Sequence, residues 1–158
     1  MAEFGRGIKA GIIAGIIYAI IIGILQAIVT IGMWDTIMAA YDEAMAELGV
    51  TVELTQAFLI PSIFIGGIIG GIIGGIIFGL IYAAIYNSLP GSTSVMKGII
   101  LAVIFWLIFS LGLGFTTYGM YGMTYFIIQN VVIGLIGSLL WGYLLGKFWD
   151  RFTPAPAA

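Results

Sequence analysis

The sequence contains no cysteine and no histidine. This excludes disulfides, thiolate and imidazole metal ligands, and every nucleophile built on either residue. Charged residues are also scarce, at 8% of 158 residues, whereas a soluble domain carries about 25%. We therefore expect no catalytic residue, no cofactor and no metal site, and we expect neither enzymatic activity nor contact with nucleic acid.

Apolar residues are abundant instead, at 62% of the chain. A helix crosses the hydrocarbon core of a bilayer with about 20 consecutive apolar residues. A β-barrel is excluded because its strands alternate apolar and polar residues, whereas Ile20, Ile21 and Ile22 are consecutive. We predict one integral membrane domain over residues 1–158, folded as an all-α bundle of four membrane-spanning helices. The spans are predicted at residues 8–33, 61–86, 95–114 and 125–148.

The few charged residues are divided between the two sides that these spans define. All five basic residues lie on the side of both chain ends and of the loop between the second and third spans. The acidic residues between the first and second spans lie on the opposite side. By the positive-inside rule, the basic side is cytoplasmic. The sequence thus predicts a protein of the cell membrane with both termini in the cytoplasm.

Two pairs of spans resemble each other in sequence. Residues 11–18 align with 98–105, and the pattern of small and aromatic residues at 71–83 recurs at 134–146. We predict two parallel helical-hairpin repeats, related by an axis along the membrane normal. The alternative is that spans rich in glycine and isoleucine align by chance. Repeat one is predicted over residues 8–86 with an insert at 34–57, and repeat two over residues 95–149.

The insert is predicted to contain a short amphipathic outer helix over residues 35–48. Its apolar residues share one face, and Glu43 and Glu47 lie opposite. Asp35 is the expected N-cap, and Gly49 is expected to end the helix. We expect this helix to lie on the outer membrane surface or over the bundle as a lid. The alternative is a docking face for a partner, or an acidic vestibule.

The second span carries glycines at a spacing of four residues in two adjacent ladders. Small residues at this spacing let helix backbones approach closely in lipid, where dispersion holds helices together. We therefore predict these glycines to be helix-packing residues, and a pore lined by glycine backbone is the alternative. The first ladder is Gly67, Gly71, Gly75 and Gly79, and the second is Gly66, Gly70 and Gly74.

Polar residues inside the spans are few. Gln26, Gln129 and Asn130 are predicted to form interhelical hydrogen bonds, or else to line a polar path between the two hairpins. No aspartate or glutamate lies inside the predicted spans, which argues against a proton-coupled transporter. Residues 118–123 are predicted to form an aromatic outer turn at the membrane interface.

Three segments resemble small uncharacterised archaeal multi-pass membrane proteins, and bacterial YagU-like inner-membrane proteins share this style. The segments are the Lys-x-Gly-Ile-Ile opening of the first span, Leu-Pro-Gly-Ser-Thr-Ser at 89–94 and Leu-Leu-Gly-Lys-Phe-Trp-Asp-Arg-Phe at 144–152. The resemblance implies a multi-pass membrane protein, and it carries no functional residue over to this chain.

Two functions fit these observations. The first is a non-enzymatic membrane protein that packs laterally through its glycine ladders, as a homo-oligomer or as an accessory subunit of a larger membrane complex. The second is a small channel or transporter with a path between the two hairpins. In both cases the expected partners are the lipid bilayer and either a second copy of this chain or other membrane subunits.

Overall fold

The computed structural model describes residues 2–49 and 53–153, and within these ranges it contains helices and connecting segments but no β-strand. The predicted insert at 34–57 therefore includes three residues, 50–52, that lie outside the described residues, as do residues 1 and 154–158 of the predicted domain. Two segments are π-helical, with the wider i→i+5 hydrogen bonding. The elements are α1 (Ala2–Gly32), α2 (Trp34–Glu47), α3 (Gln56–Ile85), α4 (Ser94–Phe105), π1 (Trp106–Gly112), α5 (Phe115–Phe126), π2 (Ile127–Ile133) and α6 (Gly134–Arg151).

Four helical stretches are long and apolar enough to cross a membrane, as the sequence predicted. They are Glu3–Gly32, Gln56–Ile85, Ser94–Gly112 and Phe115–Arg151. The fourth begins at Phe115, ten residues earlier than predicted, but it is not one continuous helix. Phe115 stacks on Phe126 at 5.7 Å, so the chain turns back inside the segment 118–123, where the sequence predicted a turn. Gly122 absorbs a kink there with φ of 80°, a conformation that glycine adopts without a steric penalty.

Of the three helix ends between Met33 and Phe58, two follow capping rules. Thr55 precedes α3, and its hydroxyl accepts a hydrogen bond from the Phe58 amide at 3.3 Å. Gly49 follows α2 with φ of 65°, as expected for a residue that ends a helix. The prediction that Asp35 is the N-cap of α2 is wrong, because the helix begins at Trp34 and Asp35 lies inside its first turn. The carboxylate still faces the positive end of the helix dipole from that position.

The spans pack in the order α3, α1, α6, α4. Helix α1 lies against both α3 and α6, and α4 lies on the far side of α6. We call the end with the start of α1, the loop 86–93 and the end of α6 the basal end. The opposite end, with α2 and the Leu113–Gly114 turn, is the distal end. The largest fully buried side chains, Tyr82, Leu145 and Trp149, all lie toward the basal end.

Two of these helix pairs are in backbone contact through glycine. Between α1 and α3, a Cβ on Gly11 would overlap the carbonyl oxygen of Gly75, and a Cβ on Gly15 would overlap that of Gly71. Between α4 and α6, a Cβ on Gly98 would overlap the carbonyl oxygen of Gly142. At these positions any side chain would force the helices apart, so glycine sets the distance between them.

Candidate functional site

The predicted helix-packing glycines of α3 fall into two groups. Gly71, Gly75 and Gly79 lie against the backbone of α1, with no room for a Cβ. Gly67 is looser, since its Cβ would sit 3.9 Å from Ala19.

The other ladder, Gly66, Gly70 and Gly74, does not pack on another helix of the described chain. Apart from its two chain neighbours and the backbone of α3 itself, a Cβ at Gly66 or Gly70 has no described atom within 4 Å. A Cβ at Gly74 would meet the Phe78 ring of the same helix, at 3.7 Å.

A cleft of about 360 Å³ lies between α3 and the second pair of spans. One wall is the glycine face of α3, where backbone replaces side chains. The opposite wall and the ends combine aromatic side chains with small residues. The glycine wall consists of Gly67, Gly70, Gly71, Gly74 and Gly75, and the aromatic residues are Tyr18, Phe78, Phe105, Trp106, Phe109 and Trp141.

The cleft is closed toward the basal end by an aromatic cluster around Phe78. Its ring centroid lies 4.7 Å from that of Phe105 on α4 and 5.5 Å from that of Trp141 on α6. These are tilted and edge-to-face geometries, which aromatic pairs prefer. These contacts join α3 to α4 across the cleft, where the two helix backbones are far apart.

The cleft lies between the two predicted hairpins, but its lining differs from the predicted polar one. Gln26, Gln129 and Asn130 are not among the described residues that line it. Gln129 and Asn130 lie in π2, where a glutamine acceptor (Oε1) and an asparagine donor (Nδ2) are buried without a hydrogen-bond partner in the described chain. The third and fourth spans are joined here by a hydrogen bond to the main chain of Asn130 and not to its side chain. In this bond Trp106 Nε1 donates to the Asn130 carbonyl oxygen at 2.7 Å.

A second cluster, which the sequence did not predict, lies at the basal end and centres on Ser94. Tyr82 donates its hydroxyl proton to the Ser94 carbonyl, and Ser94 donates its own to the Asp150 carboxylate. Because a serine hydroxyl has one proton, Tyr86 must be the donor in its 2.6 Å bond to Ser94 Oγ. Lys97 closes the cluster by donating to the Tyr86 carbonyl at 2.8 Å.

The same end contains a column in which two stacked aromatic rings lie between two cations, and we call this column the basal stack. The Arg6 guanidinium lies 3.7 Å from the centre of the Trp149 ring, and the Trp149 ring stacks on Tyr86 at 4.8 Å. Lys97 Nζ lies 4.2 Å from the centre of the Tyr86 ring. Such contacts are strongest where the cation has lost water, and the Arg6 side chain is only 14% exposed.

One sequence signal points to this cluster. Tyr82, Tyr86 and Trp149 lie near span ends on the side that also carries every basic residue. Aromatic residues collect at membrane interfaces, and cations lie on aromatic faces often enough to make that pairing a reasonable expectation. The partners of each ring, however, depend on the order in which the helices pack.

An all-helical bundle with four helices able to cross a membrane is the architecture of a multi-pass membrane protein. The chain belongs to the DUF6789 family, a family of unknown function, whose model matches residues 1–158. Comparison with curated proteins and with solved structures finds no match. The family match gives no support to the predicted likeness to archaeal or YagU-like proteins.

Proposed function

We propose that the protein is a non-enzymatic subunit of the cell membrane, with both termini in the cytoplasm, that packs laterally against another membrane helix. The observation that carries this proposal is a surface on α3, the open glycine face, formed by Gly66, Gly70, Ile73 and Ile77. These residues recur at i, i+4, i+7 and i+11, so they share one side of the helix. All four are exposed, and Gly66 and Gly70 have open space around a Cβ within the described chain.

The argument for packing rests on what glycine costs and what it permits. Glycine in a helix interior is unfavourable by about 0.5–1 kcal/mol relative to alanine, so an open row of glycines gains nothing from α3 itself. Glycines on the adjoining side of α3 are used for backbone contact with α1. A second helix on the open glycine face would make the same kind of contact. The partner is a second copy of this chain or a helix of another subunit.

We also propose that the bundle arose from two parallel hairpin repeats. Support comes from the register of the contacts in the two halves. Under the sequence alignment, Gly11 and Gly79 correspond to Gly98 and Gly142, and each pair is in backbone contact. The pair formed by Gly7 and Ala83 corresponds to Ser94 and Gly146, which are also in contact. Chance similarity of glycine-rich spans does not require equal registers.

Molecular mass in a mild detergent and in lipid nanodiscs tests the packing proposal. The wild type is expected to be heavier than its 16.9 kDa monomer, or to retain a second membrane subunit. Gly66→Leu is expected to release the partner, because its branched side chain occupies the contact surface. Gly119→Leu is the matched control, since Gly119 on α5 also has open space around a Cβ in the described chain. A wild type that is monomeric and alone in both media contradicts the proposal.

A second candidate function is a small channel or transporter, and the cleft between the hairpins favours it. A path for a polar solute needs hydrogen-bonding groups along its length. The walls of this cleft are glycine backbone and aromatic rings. The hydroxyl groups that a polar solute would meet along the path are those of Tyr18, Ser110 and Ser138. Solute flux into vesicles that contain the purified protein, compared with empty vesicles, separates this candidate from the first.

A further inference from the structure

If the two hairpins are equivalent repeats, a contact made by one of them is expected at the equivalent position of the other. One such contact, between an aromatic ring and a glycine, is present on one side and missing on the other. The contact is present where α1 packs on α6. A Cβ on Gly137 of α6 would lie 3.1 Å from the ring of Tyr18 of α1. The equivalent residues on the other side are Gly74 of α3 and Phe105 of α4. These two line the cleft, and a Cβ on Gly74 meets no residue of α4 within 4 Å. The cleft is thus the place where an interhelical contact present on one side is missing on the other.

We propose that this cleft is the binding site for one hydrocarbon chain of a neighbouring bilayer lipid. The site lies at the depth of the lipid chains. Along α3 the lining runs from Phe78 to Gly67, which are about 10 and 27 Å from the basal end of the helix at Ile85. The hydrocarbon core of a bilayer is about 30 Å thick, so the cleft occupies its middle and its distal half.

The chemistry of the walls selects hydrocarbon over water or a charged solute. No lining residue carries a charge. Of the two serines, Ser138 already donates its hydroxyl proton to the Leu135 carbonyl at 2.8 Å. A buried water needs two to four polar partners, and an apolar cavity without them stays dry. An empty cleft would leave the aromatic rings without contact on one side, which lipid chains supply.

The cleft is continuous with the lipid-facing surface. Gly70, in the cleft wall, also belongs to the open glycine face, which a packing partner would cover. On π1, Phe109 lines the cleft and is 50% exposed, so the cleft also reaches the lipid-facing surface there. A chain thus enters sideways from the bilayer without crossing a polar surface. Trp141, at 9% exposure, lies at the buried end of the cleft and marks the deepest position that a chain reaches.

Photocrosslinking from the lipid tests this inference. The purified protein is reconstituted in phosphatidylcholine vesicles that contain a trace of phosphatidylcholine with a diazirine in its acyl chain, and the labelled peptides are identified by mass spectrometry. We expect adducts at Trp141 and Phe105, which chains at the outer surface of the bundle do not reach. Ile21, a lipid-facing residue of α1 at 40% exposure, is the internal reference for labelling.

Three variants make the result specific. Gly74→Leu has room for its Cβ but fills the cleft, and it is expected to lower labelling at Trp141 about tenfold relative to Ile21. Gly66→Leu, outside the lining, is expected to leave this ratio unchanged even where it releases a packing partner, so the two proposals fail separately. Phe109→Ala widens the cleft and is expected to raise labelling at Trp141. This increase tests the inference even if Gly74→Leu does not fold. Absence of Trp141 adducts in the wild type, or equal labelling in Gly74→Leu, overturns the inference.

Discussion

The Arg6 guanidinium lies 3.7 Å above the indole ring of Trp149, which joins the first membrane-spanning helix to the last. Tyr86 and Lys97 extend this contact, so the basal stack draws one residue from each of the four spans or from its end. Aromatic rings also pack at the distal end, where Phe115 stacks on Phe126, but no cation lies over a ring there in the part of the chain that the structure describes. The cleft and both π-helical segments are found in this half. The bundle is therefore tightly held at one end and loosely packed at the other.

The first prediction concerns the basal stack. Arg6→Ala is expected to destabilise the protein by about 1–2 kcal/mol, the range for a cation–π contact that is largely removed from water. Arg6→Lys is expected to recover part of the loss, because an ammonium keeps the charge but lacks the planar group that stacks on indole. Thermal unfolding in detergent measures the effect. Lys9→Ala, at an exposed position on the same helix, is the control and is expected to change little. Equal stability of the Arg6 and Lys9 variants would show that the stack contributes nothing.

A second prediction concerns the hydroxyl of Tyr82. Tyr82→Phe removes the donor to the Ser94 carbonyl, in a site where Tyr82 is fully buried. A buried acceptor that loses its partner costs about 1–3 kcal/mol, and we expect a loss of stability in this range. Tyr143→Phe is the matched control, since Tyr143 is 43% exposed. If both variants unfold at the wild-type temperature, Tyr82 does not stabilise the loop that leads into α4.

The third prediction distinguishes the two glycine ladders of α3. From the sequence alone, Gly71→Ala is expected to be mild, because alanine still allows close approach of helices. The structure reverses this expectation, since a Cβ at Gly71 would overlap the carbonyl oxygen of Gly15. We expect Gly71→Ala to cost about 1–3 kcal/mol through overpacking, and Gly71→Leu to cost more.

Gly70→Ala is the control for that comparison. Its Cβ has open space within the described chain, so the higher helix propensity of alanine is expected to leave stability equal or slightly raised. Thermal unfolding of the monomer in detergent keeps any partner out of the measurement. The opposite order, with Gly70→Ala the more damaging variant, would mean that α1 does not lie on the Gly71 side of α3.

The fourth prediction concerns topology. The chain has no native cysteine, so single-cysteine variants report one position at a time. Ser92→Cys, at an exposed site in the basal loop, is expected to be shielded from a membrane-impermeant thiol reagent in intact cells. Ala46→Cys, at an exposed site in α2, is expected to react. The reverse pattern would place the basal end outside the cytoplasm.

Sequence reasoning predicted the parts of this structure that depend on local composition. Four apolar stretches became four candidate spans, and Gly49 ends α2 as expected. The glycine pattern predicted that α3 packs closely on another helix, but not which of its glycines face α1, because that depends on how α3 is rotated about its axis. Gly70 and Gly71 are equivalent in the sequence pattern, and only this rotation makes Gly71 the one that faces α1.

The remaining differences have particular causes. A turn at Gly122 lies inside the predicted segment 118–123, but the helical conformation of the residues before it was not predicted, because glycine and tyrosine suit a turn equally well. The aromatic lining of the cleft depends on contacts between residues far apart in the chain, such as Phe78 and Phe105. The π-helical turns have no composition signal of their own, so the positions of Gln129 and Asn130 could not be derived.

The contact between Arg6 and Trp149 also has a consequence for how the protein is made. The two residues are separated by almost the whole chain, so this contact forms only after the ribosome has synthesised the last span. The glycine contacts between α1 and α3 need no later part of the chain and are able to form while synthesis continues. A nascent chain arrested before Trp149 would thus hold a packed first hairpin whose basal end is still open, exposed to proteases and to membrane insertion factors.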